Sequence, residues 1–150
     1  MEKEIINYFQ ERQYHSYTGL EVANIIKDLS KPKRKTLDVS YLSQKDVDQV
    51  IEIVEAVEQA TGMHFDSFNV KSRKDTFVTP RHLFMYFIKD RMKLTLGTIG
   101  RLVGGRDHST VIHAVKNVED WITNPLFYKR ENKLIDDTRR YLESSESGQG

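Results

Sequence analysis

Apolar positions along this chain recur with the 3.6-residue period of helices, and the strict alternation of strands is nearly absent. Ile5, Ile6 and Phe9 share one face of a short segment over 2–12. Leu20, Val22, Ile25, Ile26 and Leu29 do the same over 18–29, where Thr18 with Glu21 has the spacing of a helix start. The polar run 30–40, SKPKRKTLDVS, contains Pro32 and reads as a linker or surface loop. Its cations Lys31, Lys33, Arg34 and Lys35 are read as either solvated or facing phosphates. Ser43 with Asp46 opens a longer helix whose stripe is Val47, Val50, Ile51, Val54 and Val57, stopped by Gly62. Its outer face holds Asp48, Glu52, Glu55 and Glu58, an acidic side that should point away from any polyanion.

Phe65 and Phe68 turn inward from a short helix or turn over 64–70. The run 71–81, KSRKDTFVTPR, reads as a basic loop closed by Pro80, placed in the first turn of the next helix. That helix uses Leu83, Phe84, Phe87, Ile88 and Met92 as core, with Phe77 and Tyr86 read as core aromatics as well. A last helix, roughly 126–143, follows the break at Asn124 and Pro125, and SSESGQG closes the chain as a frayed polar tail.

The stretch 96–118, LGTIGRLVGGRDHSTVIHAVKNV, stands out. Ile99, Leu102 and Val103 form the apolar face of a short helix, and the paired Gly104 and Gly105 permit the positive φ of a tight turn. Asp107 is placed to cap a second helix, whose first N–H groups lack partners. Val111, Ile112, Val115, Val118 and Ile122 make its stripe, while His108, Ser109, His113 and Lys116 lie opposite. One buried stripe and a donor-rich first turn is the arrangement of a helix-turn-helix recognition helix. The fold expected is all-α: an N-terminal helical extension over 1–45, a helix-turn-helix domain over 46–143 and a disordered tail over 144–150.

Composition narrows the possibilities. The 38% apolar and 30% charged fractions are those of an ordinary water-soluble chain. With no cysteine, disulfides and thiolate metal sites are excluded, in keeping with a reducing, cytoplasmic setting. MEKEIINYFQERQ has charges every few positions, so no signal peptide is expected, and no apolar run reaches membrane-spanning length. The net charge of +1 conceals an uneven distribution. Residues 1–70 carry 8 Lys/Arg against 12 Asp/Glu, residues 71–116 carry 10 against 3, and residues 117–150 carry 5 against 7. Positive charge therefore gathers on the segment with the turn, where an anionic partner is the simplest explanation and a solvated basic surface the alternative. The five histidines show no metal spacing, since an i, i+5 pair such as His108 and His113 faces two ways and no H-E-x-x-H occurs. Nothing resembles a Ser-His-Asp setting. Neither catalysis, a cofactor nor a metal is expected.

The run GGRDHSTVIHA closely resembles the signature of the C-terminal DNA-binding domain of the bacterial replication initiator DnaA, a fold of the TrpR/DnaA C-terminal type. The resemblance extends back through KSRKDTFVTPRHLFMYF to about Val47 and forward to about Val118; residues 1–45 match nothing in that family. It implies a helix-turn-helix whose second helix enters the major groove of a short double-stranded element, the DnaA box. By that resemblance Asp107, His108 and Ser109 contact bases, and Arg73 enters the adjacent minor groove. Lys71, Arg81, Lys89, Arg106 and Thr110 are matched to the DNA backbone or basic positions near it, and Lys74 and Lys116 are expected to contact the backbone as well. The chemistry agrees: a carboxylate accepts from cytosine N4, hydroxyls serve bases or phosphates, and arginine suits a narrow minor groove. Asp107 has the alternative role of N-cap, and His113 is either packed or contacting.

Three departures bear on sequence preference. Ser109 stands where the family usually has threonine, Gly97 where it often has proline, and Asp75 in a loop that is often basic. No G-x-x-x-x-G-K-[ST] occurs, so neither ATP hydrolysis nor origin melting is expected. The function expected is sequence-specific duplex binding at DnaA-box-like sites in replication initiation or its regulation, at the nucleoid. Other replication proteins could dock through residues 1–45. Transcriptional regulation or a helical adaptor role using those residues is the rival.

Overall fold

The computed structural model describes residues 34–148, which form six helices and no strand. The segments expected as helices at 2–12 and 18–29, together with Lys31 and Lys33, lie outside the described residues. In chain order the helices are α1 (Gln44–Thr61), α2 (Phe65–Phe68), α3 (Asp75–Arg91), α4 (Leu96–Leu102), α5 (His108–Thr123) and α6 (Lys129–Gly148). Burial is greatest on α3, where Leu83, Phe84, Met85, Phe87 and Ile88 are all inaccessible to water. A helix apolar on most sides must be surrounded. Accordingly α3 packs against α1, α2, α4 and α5, while α1 also carries α6. Phe65 is the hinge of an aromatic cluster, edge-on to Phe68 at 5.2 Å and to Phe84 at 5.3 Å.

α1 begins as the sequence indicates. The Ser43 hydroxyl accepts from the Asp46 N–H, and Gly62 ends the helix at φ 72°. Its acidic face is less free than expected, because Glu58 turns inward. The Glu58 carboxylate takes both Nε (3.1 Å) and a terminal nitrogen (2.6 Å) of Arg34 and also accepts from the Phe65 N–H at 2.8 Å. Arg34 is thus neither solvated nor available to a phosphate.

The compact unit starts at Arg34, ahead of the 45/46 boundary expected from the sequence. Leu37 is buried, and Asp66 accepts from the Lys35 and Thr36 N–H groups and the Thr36 hydroxyl. The Tyr41 hydroxyl donates to the Thr98 carbonyl at 2.8 Å, and the Arg101 guanidinium lies 4.1 Å over the Tyr41 ring. Residues 34–42 are therefore a surface loop strapped across α1, α2 and α4, the second of the two expected forms, and not a linker.

Two further boundaries differ. α3 starts at Asp75, so most of the expected basic loop is helical and Pro80 is the sixth helical residue rather than a first-turn one. Proline at that place forfeits its N–H, which would have bonded the Thr76 carbonyl, and its ring crowds that carbonyl. Asp75 in the first turn favours the helix through its dipole. At the other end α6 covers Lys129–Gly148, so the backbone stays helical through most of the expected tail.

Candidate nucleic-acid interface

Gly100 is the pivot of the turn between α4 and α5. Its carbonyl accepts from the N–H groups of Gly105 (3.1 Å) and Arg106 (2.9 Å), folding the chain back over α4. Gly104 and Gly105 have φ of 89° and 81°, a region that side chains with a Cβ avoid. Behind the turn, Ile99, Leu102, Val111, Ala114 and Val118 are buried together, which sets α5 against α4 and α3.

That packing leaves the opposite side of α5 exposed: His108, Ser109, Thr110, His113 and Lys116 all face water. Asp107 occupies the N-cap position with extended backbone; its side chain makes no full capping hydrogen bond, but the His108 and Ser109 N–H groups still favour its ionised form. Its carboxylate accepts from the Ser109 hydroxyl at 2.7 Å and lies 3.0 Å from His108 Nδ1. The Ser109 hydroxyl, with His108 beside it, holds the Asp107 carboxyl below the usual carboxylate range. The first turn of α5 thus presents an ionised acceptor, a hydroxyl and an imidazole in one interlinked cluster. A base edge in the major groove offers partners for each.

The expected basic positions divide into two sets. Lys71, Arg73, Lys74, Lys89 and Lys116 are exposed, as phosphate or groove contacts require. Arg81, expected at the DNA backbone, is instead only 7% exposed, and its guanidinium donates to the carbonyls of Phe68 (3.1 Å), Val70 (2.5 Å) and Ser72 (2.7 Å). Arg106 is half-buried and donates to the Val70 carbonyl at 2.9 Å, with its Nε enclosed and unbonded. Both arginines therefore tie the 68–72 backbone in place. Lys71 and Gly104 to Arg106 share one cleft, so the loop bearing Arg73 is anchored beside the helix-turn-helix. Sequence reasoning missed this because a solvated and a carbonyl-bound arginine look alike in a one-dimensional pattern. Replacing Arg81 by alanine should cost about 2 kcal/mol, since three carbonyls lose a charged donor. Urea unfolding measures the loss, and amide exchange should quicken over residues 68–74.

A short helix, a glycine turn and an exposed second helix on a shared core define a helix-turn-helix protein. Residues 50–118 match the family model for the bacterial DnaA protein helix-turn-helix. The chromosomal replication initiator protein DnaA of Geotalea daltonii is 32% identical over 121 residues, covering 77% of this chain and 25% of the relative. Its counterpart in Wolbachia pipientis wMel is 41% identical over 80 residues (49% of this chain, 16% of the relative). That of Mycoplasma capricolum is 40% identical over 70 residues (47% and 16%). The chain thus spans about a quarter or less of the length of these relatives. No helix among the described residues is long and apolar enough to cross a membrane.

Proposed function

We propose that this chain binds duplex DNA at DnaA-box-like sites, in replication initiation or its regulation, with the first turn of α5 in the major groove. The observation that carries this reading is the exposed Asp107, His108 and Ser109 cluster beside an anchored basic loop. Asp107, His108 and Ser109 read base edges, and Arg73 enters the neighbouring minor groove. Lys71, Lys74, Lys89, Thr110 and Lys116 meet the sugar-phosphate backbone; Arg81 and Arg106 act by holding the Arg73 loop. These 150 residues contain no phosphate-binding G-x-x-x-x-G-K-[ST], and their own contact with DNA is proposed to need no nucleotide. Of the expected extension over 1–45, residues 34–42 are taken up by the strap, so other replication proteins would be engaged through the part of the chain before it, and the nucleoid is where such a protein acts.

Selection from a random duplex pool tests the reading, because it reports both whether DNA is bound and which bases matter. Five exposed cations predict a log–log salt slope of about −4 to −5. Arg73→Ala and Ser109→Ala should each weaken the selected site by about 1–3 kcal/mol. Unchanged affinity for both variants would remove the base-reading assignment. Retention of no duplex at low salt would remove DNA binding altogether and favour a protein-binding adaptor.

A further inference from the structure

Behind the exposed face of α5 lies a polar relay that the proposed contacts do not use. His82 of α3 is buried, its ring stacked on Trp121 at 6.3 Å and edge-on to His113 at 6.2 Å. The Asn117 amide nitrogen sits between the two imidazoles, 3.3 Å from His82 Nδ1 and 3.5 Å from His113 Nε2. An amide NH₂ has two hydrogens to give, and a neutral imidazole has one nitrogen that accepts. Asn117 therefore donates to both rings, which leaves the ring protons on His82 Nε2 and His113 Nδ1. Burial foremost, with His113, Arg81 and Arg106 nearby, pushes the His82 pKa down to about 4, so its Nδ1 lone pair is present at neutral pH.

We propose that His113 reads a purine through Nδ1–H, and that Asn117 and the buried His82 are the positioning residues that set this tautomer. The proposal rests on the DNA-binding reading above. His113 follows Ser109 by four residues and precedes Lys116 by three, so the three exposed side chains share one face of α5. The rise between Ser109 and His113 is about 6 Å. That separation carries His113 beyond the base pair met by Ser109, because base pairs are stacked about 3.4 Å apart. Purine N7 is the major-groove acceptor that adenine and guanine share, so a single N–H donor accepts either purine and discriminates against pyrimidines. His108 and Asp107 sit five and six residues earlier and engage each other, leaving this position to His113.

The test uses the full chain and its selected duplex, with 7-deazapurines placed one at a time. For the parent, one position should lose affinity about five- to tenfold when N7 is removed, the worth of one hydrogen bond. His113→Ala should be weaker on the natural duplex and indifferent to that deaza substitution, while keeping its sensitivity at the Ser109 position. His82→Phe and Asn117→Ala should blunt the same deaza effect. His113→Gln should restore binding and shift the preference from either purine to adenine, because an amide pairs with adenine N6 and N7 together. If the parent binds duplex but no position shows a deaza effect that His113→Ala removes, the inference falls and the DNA-binding reading stands. If the parent binds no duplex, both fall.

Discussion

Replacing Gly100 by alanine is expected to dismantle the helix-turn-helix. A Cβ at this position would stand 2.1 Å from the Arg106 carbonyl oxygen and 3.1 Å from its carbon, and both are backbone atoms. No rotamer change relieves such a contact; α4 and the start of α5 must separate. The same move breaks the two bonds that the Gly100 carbonyl accepts from Gly105 and Arg106. Overpacking of a rigid site costs about 1–3 kcal/mol, and the lost turn bonds bring the expected total to about 3 kcal/mol or more. For a domain of this size that corresponds to a fall in Tm of about 12 °C. Gly97 on the same helix supplies the control. Nothing lies within 4 Å of its would-be Cβ, so Gly97→Ala should gain about 1 kcal/mol of helix propensity. Calorimetry on the pair checks both signs. A Gly100→Ala protein melting with the parent would mean that α4 and the turn do not approach as closely as the structure places them.

The contrast between the two glycines shows where the sequence is readable and where it is silent. Gly104 and Gly105 announce themselves, since adjacent glycines between two apolar stripes have few other uses, and both adopt positive φ. Gly100 looks like any helical glycine until Arg106 is folded onto it. The same holds for charge. The stripe that buries Val111, Ala114 and Val118 also fixes which residues of α5 face out, so the exposed row from His108 to Lys116 follows from periodicity alone. Arg34 lies in a run of cations and Arg81 and Arg106 in the basic 71–116 segment, yet each bonds a carboxylate or carbonyl contributed by another stretch. Local pattern carries no information about such partners. Pro80 misled for a related reason: a proline is a plausible first-turn residue, but Asp75 and the Lys74 carbonyl start the helix earlier, and tertiary burial of α3 outweighs one missing bond.

Stability should fall steeply as pH drops from about 6.5 to about 4, and His82 is the reason. Its folded pKa is pushed down to about 4, first by burial and then by His113, Arg81 and Arg106. In the unfolded chain an imidazole titrates near 6.5. Above that pH both states hold His82 neutral, and its contribution to stability is complete. Below it the unfolded state binds a proton that the folded state refuses, so the unfolded state is favoured progressively until the folded pKa is passed. The difference between the two pKa values amounts to about 3 kcal/mol. Asp38, held low by the Ser40 hydroxyl, and Asp66, held low by Thr36 and Lys35 against its own burial, add losses of the same sign. Those begin only near the ordinary carboxylate pKa of 3.8, so the window from 6.5 down to about 4.5 isolates the histidine. Trp121 stacks on His82 and is the chain's single tryptophan, which makes its fluorescence a direct report of unfolding. Urea midpoints measured at intervals across that window should decline for the parent and lose most of their slope in His82→Gln. An equal slope in the variant would place the titration elsewhere and show that His82 takes up a proton in the folded protein as readily as in the unfolded one.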